Sequence, residues 1–104
     1  MRAVLTLELN SNMKLLPQMQ NKLSHVGVNI ELARLRRKFT IEQVAERAGV
    51  PQPTITDIEN GNPDISIGDY LSVLRVLGLE IDIYKIAEND PLGRKLQDIA
   101  LLDE

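Results

Sequence analysis

The stretch Thr40–Gly61, TIEQVAERAGVPQPTITDIENG, decides the fold of this 104-residue chain. Thr40 is followed three residues later by Gln43, which is the spacing of a capping box at a helix start. Apolar residues then recur at helical spacing up to Ala48. Gly49 comes next, a residue that easily adopts the positive φ of a helix end. We therefore predict a short helix that begins after Thr40 and ends at Gly49.

A second short helix is predicted over residues 52–59, and it stops before Gly61. Ile55 and Ile58 are three residues apart, so both face a core. The outer face then carries side chains that form hydrogen bonds: Gln52, Thr54, Thr56 and Asp57. Two short helices joined by a tight turn are the arrangement in which a helix-turn-helix presents its second helix to the DNA major groove.

The charge of the chain is distributed unevenly. The net charge is −3, yet residues 1–38 hold seven basic residues against two carboxylates, a local charge of +5. Residues 39–104 hold five basic residues against thirteen carboxylates, a local charge of −8. A basic run closes the first part, formed by Arg34, Arg36, Arg37 and Lys38. A solvated helix end explains such a run by itself, but next to a helix-turn-helix we expect Arg36, Arg37 and Lys38 to contact phosphates.

Several classes of function find no support in the sequence. There is no cysteine, so neither disulfides nor thiolate metal sites are expected. No apolar run approaches the roughly 20 residues that span a bilayer, and Glu8 and Asn10 interrupt any signal peptide. His25 is the single histidine and has no nucleophile at a readable spacing. We therefore expect a cytoplasmic protein that is not an enzyme, needs no cofactor or metal, and does not enter membranes.

The segments before the motif predict further elements. Residues 2–9 alternate like a strand, and residues 13–23 have a helical pattern interrupted by Pro17. His25–Lys38 is predicted as a helix with three residues inward: Val26, Ile30 and Ala33.

The segments after the motif predict a helix, a strand and a final helix. Ser66 caps a helix that ends at Gly78 and buries Tyr70, Leu71, Leu74 and Leu77. Leu79–Ile86, LEIDIYKI, alternates cleanly and is predicted as a strand with one apolar face: Leu79, Ile81 and Ile83. Since a lone strand has a bare edge, it needs a partner, either residues 2–9 or the same strand of a second subunit. Asp90 caps the last helix, with Pro91 at its first position.

From about Val26 to Leu79 the chain resembles the Xre/phage-repressor class of helix-turn-helix domains. The residues that carry the resemblance are ELARLRRKFTIEQVAERAGVPQPTITDIENG followed by SIGDYLSVLRVLGLE. The resemblance implies a mainly α fold, with a five-helix, lambda-repressor-like helix-turn-helix domain, a short intersubunit β-strand and a C-terminal helix. We divide the chain into an N-terminal arm (1–24), the DNA-binding domain (25–78), and a dimerisation strand and C-terminal helix (79–104).

The segments LEIDIYKI and DPLGRKLQDIALL look more narrowly like HipB-like antitoxins. In that group the strand after the domain pairs between subunits, which assigns dimerisation to Leu79, Ile81 and Ile83. The resemblance also implies a homodimer that binds a double-stranded DNA operator, represses its own operon and binds a HipA-like kinase toxin.

The resemblance assigns roles to single residues. Arg34 and Glu59 match a pair that ties the first helix to the end of the recognition helix. Bases and phosphates are expected opposite Gln52, Pro53, Thr54, Thr56 and Asp57, and phosphates near Thr40, Gln43 and Asn60. The chain departs from the family pattern at Pro51, which replaces a capping Ser or Thr, and at Pro53, which offers only apolar contact. It also departs at Asp57, which can accept from a cytosine amino group but otherwise repels phosphate.

Two other functions remain open. A stand-alone Xre-type transcriptional regulator without a toxin partner has the same DNA-binding half. A protein-interaction module that has lost DNA binding is suggested by Asp57 and the acidic balance. The discriminating segment is Asp90–Leu102, whose apolar face either packs on the protein's own dimer or binds another protein.

Overall fold

The computed structural model describes residues 15–102, which are mainly α-helical. Its helices are α1 (Pro17–Arg36), α2 (Ile41–Ala48), α3 (Gln52–Glu59), α4 (Ile67–Leu77), α5 (Ile81–Tyr84) and α6 (Pro91–Leu102). Helices α2 and α3 form the predicted helix-turn-helix. The predicted strand over residues 2–9 lies outside the described residues.

The first helix begins at Pro17, eight residues before the start predicted at His25. Proline is tolerated there because the first N–H groups of a helix have no intrahelical partner. Pro17 therefore starts a helix that the sequence pattern had suggested it would interrupt. At the other end, Lys38 has φ 58°, the left-handed conformation that glycine adopts at the end of α2, where Gly49 has φ 73°.

The core lies between α3 and the three helices around it, α1, α2 and α4. Ile55 and Ile58 of α3 are fully buried, as predicted. The other buried apolar side chains are Ile30, Ala33, Val44, Ala45, Val73, Leu74 and Leu77. Two inward assignments were wrong, because Val26 and Leu71 are exposed. The helix caps at Ser66 and Gly78 are confirmed.

The strand predicted over Leu79–Ile86 is wrong, because this segment forms the helical turn α5 and no strand occurs in residues 15–102. Leu79 and Ile83 pack against the core, and their four-residue spacing fits one side of a helix as well as the alternation fits a strand. A single strand leaves its backbone groups unpaired, whereas a helical turn pairs its own. Here the Ile83 N–H donates to the Glu80 carbonyl over 3.1 Å.

The last helix, α6, is capped as predicted: the Asp90 carboxylate accepts from the Gly93 N–H over 2.9 Å. Unlike the other long helices, α6 buries none of its residues. Nowhere in residues 15–102 is a helix both long and apolar enough to cross a membrane.

Candidate nucleic-acid interface

The start of α2 is a complete capping box. The Thr40 hydroxyl accepts from the Gln43 N–H over 3.0 Å, and the Gln43 Oε1 accepts from the Thr40 N–H over 2.9 Å. The predicted cap is therefore confirmed. Because its Oε1 is used in the cap, Gln43 has only its Nε2 group left to donate outward.

The start of α3 has few hydrogen-bond donors. Pro51 is its N-cap and forms no side-chain cap, as the sequence predicted. Neither Pro51 nor Pro53 has an N–H group, and the Thr54 N–H donates to the Pro51 carbonyl over 3.0 Å. Ordinary helix N-termini bind anions through several open N–H groups. This one offers fewer, so its exposed side chains carry more of any recognition.

Helix α3 is divided into a buried and an open face. The exposed residues at this helix are Gln52, Pro53, Thr56 and Asn60, whereas Thr54 and Asp57 are half-buried. Sequence reasoning placed Thr54 and Asp57 fully on the outer face, but their backbone positions lie beside the core residues Ile55 and Ile58. The structure thus leaves the Gln52 amide, the Pro53 ring and the Thr56 hydroxyl as accessible groups of α3, with the Asn60 amide just after its end.

A buried ion pair joins α1 to the end of α3. Arg34 Nε donates to Glu59 Oε2 over 2.7 Å, and Arg34 Nη2 donates to Glu59 Oε1 over 3.1 Å. The third nitrogen, Nη1, donates to the Phe39 carbonyl over 3.0 Å. Arg34 and Glu59 are only 7% and 8% exposed. The hydrogen bond to Glu59 is the main reason that the pKa of Arg34 rises above its ordinary value.

This pair does more than join two helices. Two nitrogens hold both carboxylate oxygens, which fixes the orientation of the guanidinium plane. The Phe39 bond ties the same group to the chain just after the basic run. The end of α1 and the end of α3 are therefore held in one geometry, and the pairing predicted for Arg34 and Glu59 is present.

The basic run lies at the exposed end of α1. Arg36, Arg37 and Lys38 are all exposed. The Arg37 Nη1 group donates to the Ala33 carbonyl over 2.8 Å, so this side chain also closes the helix end. Lys38 is itself in the left-handed conformation, which costs about 1 kcal/mol or more for a residue other than glycine. Arg36 has neither a side-chain bond to the helix end nor a left-handed backbone.

Sequence reasoning missed the contact that seats α1 on the end of α3. A Cβ atom added to Gly27 would lie 2.5 Å from the Glu59 carbonyl oxygen, and one added to Gly61 would lie 2.7 Å from Ser24. Gln20 Nε2 donates to the Gly61 carbonyl over 2.7 Å. An isolated glycine inside a helical pattern was the available signal for this close approach.

A second missed contact holds α2. The Arg47 guanidinium lies 4.6 Å from the centre of the Phe39 ring, a cation–π contact. The Arg47 carbonyl accepts from Arg75 Nη2 of α4 over 3.2 Å. The spacing of these residues in the sequence does not predict either contact, because both depend on how α2 packs in the fold.

The helix-turn-helix family profile matches residues 30–84, slightly more than half of the chain. The chain belongs to the helix-turn-helix family. The match is of the Xre/phage-repressor type, and it runs from the middle of α1 to the end of α5. It therefore contains the ion pair, the capping box and the whole of α3.

This helix-turn-helix chain is similar to y4mF of Sinorhizobium fredii, described as an uncharacterised HTH-type transcriptional regulator. The two are 36% identical over 58 residues, which cover 56% of this chain and 76% of the relative. No solved structure matches the chain significantly.

Proposed function

We propose that this helix-turn-helix protein is a DNA-binding transcriptional repressor that acts as a homodimer on a palindromic operator. The observation that carries the proposal is the open face of α3, a helix whose end is fixed to α1 by the buried Arg34–Glu59 pair. A helix held so firmly enters the major groove in one orientation. A dimer then spans two half-sites about 34 Å apart.

In this proposal the open face of α3 contacts bases. Gln52 is long enough to bond an adenine edge through both amide atoms, and Pro53 offers its ring to a thymine methyl. Thr54, Thr56 and Asp57 complete the face, with Asp57 accepting from a cytosine amino group. Phosphate contacts come from the surrounding residues: Arg36, Arg37, Lys38, Thr40, Gln43 and Asn60.

We expect Gln52→Ala to weaken specific operator binding by about 1–3 kcal/mol. Gln52 is exposed and outside the core, so the fold remains intact. The measurement is a binding titration on an operator first selected from random DNA. Gln97→Ala, which removes an exposed glutamine of α6, is the matched control. Equal affinity of the Gln52 variant and the parent chain would refute the base contact.

We expect Arg36→Ala to weaken binding to all DNA sequences alike and to lower the salt slope by about one unit, since one phosphate contact is lost. Binding is measured over a series of salt concentrations. Lys22→Ala removes an exposed cation from the other half of the same helix and leaves the slope unchanged. A slope that Arg36→Ala does not alter would place this end of α1 away from the DNA.

We further propose that the protein is the antitoxin of a HipA-like kinase and represses their shared operon. The support is the resemblance of Asp90–Leu102 to the tail of HipB-like antitoxins, since Leu79–Ile86 does not form the strand of that group. The test is the adjacent reading frame: a kinase that co-purifies with this chain supports the antitoxin. A neighbour of another kind, with operator binding intact, supports the stand-alone regulator.

A further inference from the structure

An apolar groove lies on the side of the domain that carries α5. It has a volume of about 650 Å³ and lies between α1, the loop before α4, α4 itself and α5. The apolar residues that line it include Leu23, Val26, Ile65, Leu79, Ile83 and Ile86. A groove of this kind excludes water from whatever apolar group fills it. Val26, exposed here against the sequence prediction, is part of its wall.

Tyr70 lines the same groove, and its hydroxyl is incompletely satisfied. The Tyr70 oxygen is buried and forms no hydrogen bond within residues 15–102. Burial also raises the pKa of this phenol. A buried polar atom without a partner costs about 1–3 kcal/mol. An occupant that brings both apolar side chains and a hydrogen-bond acceptor therefore fits the groove.

Helix α6 has an exposed apolar face. Leu92, Leu96 and Ile99 are 67%, 57% and 55% exposed, and their spacing puts them on one face. The helix has 12 residues, so it is about 18 Å long. Residues 15–102 cover neither the groove nor this face, although both are apolar.

We propose that the groove of one chain receives α6 of a second copy, and that the exchange is reciprocal. A two-fold dimer makes such a contact twice, which covers both grooves and both helices at once. Charge supports the fit, because Asp82 lines the groove and Lys95 flanks the apolar face of α6. This proposal rests on the homodimer of the proposed function and specifies how it is built.

The first test compares two substitutions on α6. Leu96→Glu places a charge on the face that enters the groove, so the dissociation constant of the dimer rises at least about tenfold. Gln97→Glu, one residue on and about 100° around the helix, lies off the apolar face and leaves the dimer intact. Both residues are exposed in the single chain, so neither change disturbs the fold, and circular dichroism checks this. Sedimentation equilibrium measures the dissociation constant, and a Leu96→Glu dimer as tight as the parent overturns the proposal.

The second test identifies the copy that supplies the helix. The chain has no cysteine, so a single one can be placed at will. Chains with Ile67→Cys, at the groove, are mixed with chains carrying Leu92→Cys or Ile99→Cys on α6. A disulfide-linked pair of unlike chains is expected from at least one mixture. No such pair forms with Gln97→Cys, the control.

Two results of the second test overturn the proposal. One is the absence of a linked pair in both mixtures. The other is a chain with both cysteines, at Ile67 and on α6, that links within itself and migrates as a monomer.

The outcomes also separate this inference from the proposed function. If Leu96→Glu does not weaken the dimer and the dimer still binds the operator, the exchange of α6 is refuted and the repressor function stands. If the cysteine-linked pair of chains forms but binds no DNA, the exchange of α6 stands and the repressor function is refuted.

Discussion

Replacing Glu59 with leucine is expected to lower the free energy of unfolding by about 3–5 kcal/mol. Arg34 is buried in the parent fold, and the change leaves its guanidinium bonded only to the Phe39 carbonyl. A buried charge without its counter-ion must either be desolvated or pull the structure open to water. Urea unfolding at a fixed protein concentration measures the loss. Glu46→Leu, at an exposed glutamate of α2, is the control and changes stability by at most about 0.5 kcal/mol.

The double variant Arg34→Met with Glu59→Leu is expected to recover most of that stability. Two apolar side chains of similar volume remove both the charge and its need for a partner. Operator binding does not recover with it, because the link from Arg34 to the Phe39 carbonyl is also lost. Stability restored without DNA binding would show that the pair sets the orientation of α3. A Glu59→Leu chain as stable as the parent would show that the guanidinium reaches water.

The second large effect is expected from Gly27→Ala. The added Cβ would lie 2.5 Å from the Glu59 carbonyl oxygen and 2.7 Å from that of Ile58. Both atoms belong to the backbone of α3 and cannot rotate away, so α1 and α3 must separate. Crowding of this kind costs about 1–3 kcal/mol. Alanine forms helices better than glycine by about 1 kcal/mol, which offsets only part of that loss.

Gly68→Ala is the matched control for this prediction. Gly68 is also in a helix, but the nearest atom to its added Cβ is the Ser66 Oγ at 3.8 Å, an ordinary contact. We expect this variant to be as stable as the parent or slightly more so. Thermal unfolding compares the two, and operator titration shows whether the displaced α3 of Gly27→Ala binds DNA more weakly. Equal melting temperatures for the two alanine variants would refute the close approach.

Much of the candidate interface was predictable because it depends on local chemistry. The capping box at Thr40 and Gln43, the turn at Gly49 and the inward positions of Ile55 and Ile58 follow from residues within one or two helical turns. The missing cap at Pro51 follows from the absent side-chain oxygen. The pairing of Arg34 with Glu59 came from resemblance to a family, since no local rule joins residues 25 positions apart.

Other predictions were wrong because the local sequence fitted two structures equally well. The segment Leu79–Ile86 alternates like a strand, yet Leu79 and Ile83 also share one face of a helix. The core offered apolar contacts to those two residues, and no strand to pair with occurs in residues 15–102. Pro17 likewise served as a start of α1 rather than an interruption, because the helix extends to meet the end of α3 at Gly61.

The sequence by itself determined the helix-turn-helix, because caps, turns and apolar spacing act over a few residues and need no distant partner. Only the tertiary structure decided which surfaces stay open. The seating of α1 against Gly61, the helical form of α5, the apolar groove and the uncovered face of α6 all depend on which elements meet. Packing is set by contacts between residues far apart in the chain, and periodicity within one segment carries no information about them.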